Sequence, residues 1–208
     1  RGMSNTEYLE ANFEAVTRSR ENIYEKMLSR YLDANDTVLD YGCGPGFLAK
    51  ATAPYVRKIY GLDLSLGAVE CARIINSAEN IEYIAVGKDG LDAIPDGGLD
   101  AVYSFAVIQH LTNEVFEIVL KNCYRKLKPG GQLLLHIQLN DETWKSEEEF
   151  RKDRSAKGRV KFKIGLHCFG RTEQEHIEIV SKHGFDIDEI KKLENFFTES
   201  ADEIKSQR

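Results

Sequence analysis

The chain has 208 residues, 42% of them hydrophobic, which suits one α/β domain with a sizeable core. A net charge of -6 and a pI near 5.5 exclude broad nucleic-acid binding, because polyphosphate affinity needs lysine and arginine clustered on one face. Cys43, Cys71, Cys123 and Cys168 form no C-x-x-C pair, the first residues do not resemble a secretory leader, and no apolar run here reaches spanning length; the expectation is a cytoplasmic protein with reduced thiols, no metal site and no membrane partner.

Residues 5 to 32 place Leu9, Phe13, Val16, Tyr24, Met27 and Tyr31 near a helical period, predicting an N-terminal helical cap in one or two pieces. Strands are predicted at Thr37 to Tyr41, Lys58 to Leu64, Ile81 to Val86, Leu99 to Phe105 and Gln132 to Gln138, with helices at Phe47 to Ala53, Leu66 to Ile75 and Asn113 to Leu127. Alternating strand and helix implies a parallel sheet with right-handed crossovers and helices on both faces. Ser65 is placed to cap the second of these helices, and Pro129-Gly130-Gly131 stops the third before the fifth strand. Residues 140 to 170 break the rhythm with a charged stretch that holds Trp144 and a basic run from Arg151 to Lys163, read as a solvated face or flap. Thr172-x-x-Glu175 opens a helix to His183, Gly184 ends it, and Phe185 to Lys192 and Asn195 to Thr198 read as further strands. The expected organisation is a single domain over 1-208: a cap at 5-32, a core at 35-138, an insertion at 140-170, and a C-terminal helix with strands at 172-199.

The stretch Val38-Leu39-Asp40-Tyr41-Gly42-Cys43-Gly44-Pro45-Gly46-Phe47 carries the most chemical information. A short apolar strand runs into an acid, three alternating glycines and a helix start, and a turn that tight needs positive φ or close approach of a ligand. The G-x-G-x-G spacing departs from the dinucleotide fingerprint G-x-G-x-x-G. Pro45 removes a backbone N–H that a phosphate would want, and Asp40 sets negative charge at the mouth, so the turn suits a cationic, phosphate-free adenosine compound better than a pyrophosphate.

The string D-x-G-C-G-P-G over Asp40 to Gly46 resembles motif I of the class I S-adenosylmethionine-dependent methyltransferases. That resemblance implies an α/β Rossmann-like sandwich, with a mostly parallel seven-stranded sheet, an antiparallel last strand and helices on both faces. It implies S-adenosylmethionine as cofactor and S-adenosylhomocysteine as product, with Asp40, Gly42, Gly44 and Gly46 at the methionine end. Asp63, 23 positions after Asp40, offers two acceptor oxygens to the ribose hydroxyls, helix capping being its other reading. Leu64 is expected on the purine face, Asp89 on the adenine amino group, and Gly90 as a backbone donor to the ring. In the run Ser104-Phe105-Ala106-Val107-Ile108-Gln109-His110-Leu111, Phe105 and the backbone resemble the segment that lines the methionine part. Lys128-Pro129-Gly130-Gly131 resembles the family's L-K-P-G-G turn. The resemblance covers Asn35 to Gln138, and more weakly extends through Ile190.

Methyl transfer from a sulfonium is an in-line displacement, in which the protein aligns the acceptor and excludes water. The expected acceptor is an oxygen or nitrogen of a small molecule. A hydroxyl acceptor must lose its proton, and His110 is the first candidate for the base, the alternative being a histidine that holds the loop. His136 reads as a second cleft histidine or a core one. His167 beside Cys168 lacks further ligands at metal spacing. Tyr8 and Phe13 read as a lid or as ordinary helix packing. Substrate choice is assigned to the N-terminal helix and to residues 140 to 170, at the rim where ligands enter such folds. An RNA or protein methyltransferase is the rival enzyme reading, disfavoured by the acidic pI and by the absence of an Asn-Pro-Pro-Tyr signature at Ser104 to Val107. A non-catalytic S-adenosylmethionine-binding subunit is the rival from another class.

Overall fold

The computed structural model describes residues 5–86, 91–139, 144–153, 155 and 167–192, with side chains from Asn12 onward. Two compact units divide the chain, residues 1–90 with 190–208 and residues 91–189. Among the described residues there are five strands, and the pairings within each unit are parallel. The fold class is α/β and Rossmann-like.

In the first unit, helix α1 (Asn5–Ile23) continues into a π-helical turn at Tyr24–Leu28. Strand β1 (Thr37–Tyr41), helix α2 (Phe47–Thr52), β2 (Lys58–Asp63), α3 (Leu66–Ile75) and β3 (Ile81–Ala85) follow. β2 pairs with β1 on one side and β3 on the other, so that Asp40 faces Gly61 and Gly61 faces Tyr83 across the three strands. Val38, Leu39, Ile59 and Leu62 are fully buried with Val69 and Ala72 of α3, as near-continuous apolar strands covered by helices require. Ser65 caps α3, its hydroxyl accepting from the Ala68 N–H at 3.3 Å.

In the second unit, β4 (Leu99–Ser104), α4 (Asn113–Lys126), β5 (Leu127–Leu135), α5 (Glu147–Lys152) and α6 (Glu173–Lys182) follow in order. Ile108, Phe116, Leu120 and Val180 form its core, joined by Leu133 and Leu135. The capping box Thr172–Glu175 opens α6 as the spacing predicts.

Three expectations change. β5 begins at Leu127 rather than Gln132, because Leu99 pairs with Leu127 and then Ala101 with Gln132. The Lys128–Gly131 turn is therefore a bulge within the pairing. Gly130 sits there at φ 77°, and a Cβ on Gly131 would meet the Asp100 carbonyl at 3.1 Å. Phe185 to Lys192 forms no strand: Ile187 and Ile190 remain exposed, and the Phe185 ring packs edge-on to Tyr124 of α4 at 5.5 Å. The insertion contains α5, opened by a second capping box, Ser146–Glu149, whose S-x-x-E spacing was readable in advance. Asn195 to Thr198 lies outside the described residues.

Candidate functional site

The glycine turn of the first unit is built from both ends. Gly42, Gly44 and Gly46 hold φ of 80°, 52° and 81°, values that a side chain rarely tolerates. The N–H groups of Gly42 and Cys43 both donate to the Leu62 carbonyl, at 2.7 and 2.9 Å, which folds the turn over the end of β2. Asp63 then closes it: Oδ2 accepts from the Gly44 N–H at 2.8 Å and Oδ1 from the Ser65 N–H at 2.8 Å. Each carboxylate oxygen keeps a lone pair, so the clamp leaves two acceptor positions at the strand end.

Tyr83 supports the turn from behind. Its ring lies across Gly61, where an added Cβ would stand 2.5 Å from Cδ1, and its hydroxyl would stand 2.4 Å from a Cβ on Gly46. That hydroxyl donates to the Asn76 carbonyl at 2.8 Å, and Asn76 Nδ2 donates to the Pro45 carbonyl at 2.8 Å. Gly44 differs from Gly46, since a Cβ there meets nothing within 4 Å. Its surface faces open space.

Asp40 is 2% exposed, and its Oδ2 is buried without a hydrogen-bond partner. Burial, and then the charge of Asp63, push its carboxyl up to about 8, against the opposing pull of the Ala49 backbone N–H and the Arg20 guanidinium. A buried acceptor with nothing to accept is costly, and a carboxyl whose ionisation is opposed by burial and by the neighbouring Asp63 charge favours a cationic ligand that carries donors. Beyond Asp63, Leu64 projects 81% exposed, an apolar surface at the same strand end. Arg20 on α1 was not singled out from the sequence; only its charge interaction with Asp40 on β1 reveals it. Phe13 of α1 packs tilted on Phe47 at 5.3 Å, while the side chain of Tyr8 and the whole of Asp89 and Gly90 lie outside the described residues.

The second unit holds His110 and Phe105. His110 Nδ1 lies 2.7 Å from the His167 carbonyl and His167 Nε2 lies 3.1 Å from the His110 carbonyl, so each ring donates to the other's backbone. Because a carbonyl only accepts, His110 Nδ1 carries a proton, and in the neutral ring the lone pair is on Nε2. Cys168 Sγ stands 3.8 Å from the same Nδ1. Phe105 packs at 4.4 Å on His136, whose burial pushes it below its ordinary value. Among the described residues no group of three or more His, Cys, Asp or Glu is arranged to hold a metal ion.

Arg171 fixes this segment. It is 4% exposed, donates from Nε to Asn113 Oδ1 at 2.6 Å and from its terminal nitrogens to the Ile108 and Leu111 carbonyls, and faces the Phe116 and Phe169 rings. Nothing local in the sequence announces it, since its targets lie about sixty positions away.

Residues 39–135 match the family described as "Methyltransferase domain". Over 104 residues the chain is 32% identical to a ubiquinone biosynthesis O-methyltransferase of Xanthomonas oryzae pv. oryzae, an overlap of 49% of this chain and 43% of that one. It is 28% identical over 150 residues to the enzyme of the same name from Pseudomonas paraeruginosa, covering 64% of each. The chain thus spans less than two thirds of the length of these relatives. In fold it is similar to an S-adenosylmethionine-dependent methyltransferase of Archaeoglobus fulgidus, with a TM-score of 0.60, 18% identity, and coverage of 88% of this chain and 75% of that one. The glycine turn that the sequence singled out lies within the matched segment, so residues 39–135 are similar to a methyltransferase domain along a stretch that includes Asp40, the three glycines and Asp63.

Proposed function

We propose that the chain is a cytoplasmic enzyme that transfers a methyl group from S-adenosylmethionine to an oxygen or nitrogen of a small molecule. The observation that carries this reading is the buried, unpartnered Oδ2 of Asp40, on the strand that leads into the turn where Gly44 faces open space. When bound, S-adenosylmethionine supplies a methyl carbon made electrophilic by its sulfonium. Asp40 would take its ammonium group, Gly44 would let its methionine part lie on bare backbone, the spare lone pairs of Asp63 would take the ribose hydroxyls, and Leu64 would cover one face of the purine. Asp89, Gly90 and Phe105 keep their assignments from the resemblance.

In this reading His110 is the base for a hydroxyl acceptor. Its Nδ1–H is engaged by the His167 carbonyl, which holds the ring orientation and keeps Nε2 ready to receive a proton. Oxygen is favoured over nitrogen because the similar curated proteins named above are O-methyltransferases. The four free cysteines fit a reducing compartment.

Calorimetric binding of S-adenosylhomocysteine, followed by transfer of labelled methyl to pooled small hydroxylated and amino compounds, tests the reading. Micromolar binding with transfer to one of them is expected. Preferential binding of NADH, or cofactor binding without transfer to any compound, would overturn it.

A further inference from the structure

We infer that Gln109 is a recognition residue for the methyl acceptor, an inference that rests on the proposed methyltransferase activity. Gln109 lies in the 3₁₀ turn Ile108–His110, is 6% exposed, and holds a buried Oε1 with no hydrogen-bond partner. A buried amide with an orphaned end is uncommon in a relaxed interior, and where one persists it calls for a specific reason, such as strain, a functional role or a bound water or ion.

The surrounding backbone shows that the orphan is not a sign of a loose segment. The Gln109 carbonyl accepts from the Phe169 N–H at 2.8 Å, and the His110 N–H donates to the Val107 carbonyl at 2.9 Å. The carbonyls of Ile108 and Leu111, on either side, are both taken by Arg171. Ala106, three residues earlier, is held at φ 59°, a left-handed conformation that a non-glycine residue keeps only when its surroundings enforce it. Every main-chain group named is thus engaged and the segment is pinned, while one side-chain carboxamide is left over. A rigid frame that holds an unfilled polar group in place is one way that specificity for a ligand group is built.

The chemistry of the group limits the ligand. An orphaned carboxamide oxygen takes an N–H or O–H donor, and a neutral buried amide gives no counter-charge to an ion. Gln109 therefore selects an uncharged acceptor that carries a hydroxyl or N–H besides the atom to be methylated. Loss of a hydrogen bond made inside a buried site is the strongest form of discrimination available to a small pocket.

The test uses Gln109→Leu and the near-isosteric Gln109→Met in the full chain. Three quantities are read: melting temperature, affinity for S-adenosylhomocysteine, and transfer of labelled methyl into the small-molecule fraction of a cell extract. The expected result is a melting temperature equal to or above wild type, cofactor affinity within twofold, and transfer reduced at least tenfold. A lowered melting temperature in both variants would show that the carboxamide is structural and would overturn the inference. Unreduced transfer would do the same while leaving the methyltransferase reading intact. A wild-type protein that binds S-adenosylhomocysteine and labels nothing would sink both together.

Discussion

Replacing Asp40 with asparagine keeps the shape of the side chain and removes its ability to ionise, and the structure sets how much proton movement is lost with it. With the carboxyl pushed up to about 8 by burial and by Asp63, roughly nine free molecules in ten carry the proton at pH 7. A cation lodged beside the carboxylate favours the ionised form, so binding S-adenosylhomocysteine through its ammonium should expel about 0.9 proton from Asp40. The ligand's free amino-acid ammonium already carries its proton at pH 7, so the net release stays at about 0.9 per site. Titration calorimetry at pH 7 in buffers of different ionisation enthalpy reads that number as a slope. The slope should vanish in Asp40→Asn. A wild-type slope near zero, or an equal slope in the variant, would refute the reasoning. The same carboxyl leaves a mark on folding. Its folded value lies above its unfolded one, so its contribution to stability is present at low pH and is lost as pH rises toward about 8. The free protein should therefore be less stable to denaturant at pH 8 than at pH 5.5, by an amount on the order of a few kcal/mol at most, and Asp40→Asn should flatten that dependence.

Asp63→Ala removes both the two spare acceptor positions and the clamp on the Gly44 and Ser65 N–H groups; cofactor affinity measured by calorimetry should fall by about 1–3 kcal/mol or more, and unchanged affinity would dismiss the ribose assignment. Gly61→Ala drives a Cβ to within 2.5 Å of the Tyr83 ring, so denaturant unfolding should show a loss of about 1–3 kcal/mol, and the double variant with Tyr83→Leu should recover part of it. His110→Ala should lower turnover of a hydroxyl acceptor by roughly 10²- to 10⁴-fold with cofactor affinity unchanged; full activity from pH 6 to 9 would discard the base.

What could be read from the sequence was what local backbone demands dictate. Three positive-φ glycines after a buried strand leave few alternatives, and so the turn, Asp40 and the end of β2 at Asp63 stand where the spacing put them. The helix caps at Ser65 and Thr172 were legible for the same reason. Contacts between distant positions were not. Tyr83 and Asn76 reach the turn only because β3 pairs beside β2, which brings Tyr83 next to Gly61. Arg171 looks in sequence like any arginine ahead of a helix, and its burial against two carbonyls depends on where residues 108–113 fold. The stretch from Phe185 to Lys192 misled because alternation predicts which side chains share a face but says nothing about whether a neighbouring strand is available.

The clamp between Asp63 and Gly44 makes the turn independent of any ligand. A sugar-free fragment and an intact nucleoside would meet the same preformed surface, so the binding free energies of the two halves should add with little penalty when they are linked. Inhibitor design against this turn can therefore begin from separately optimised pieces, without waiting for one to shape the seat of the other.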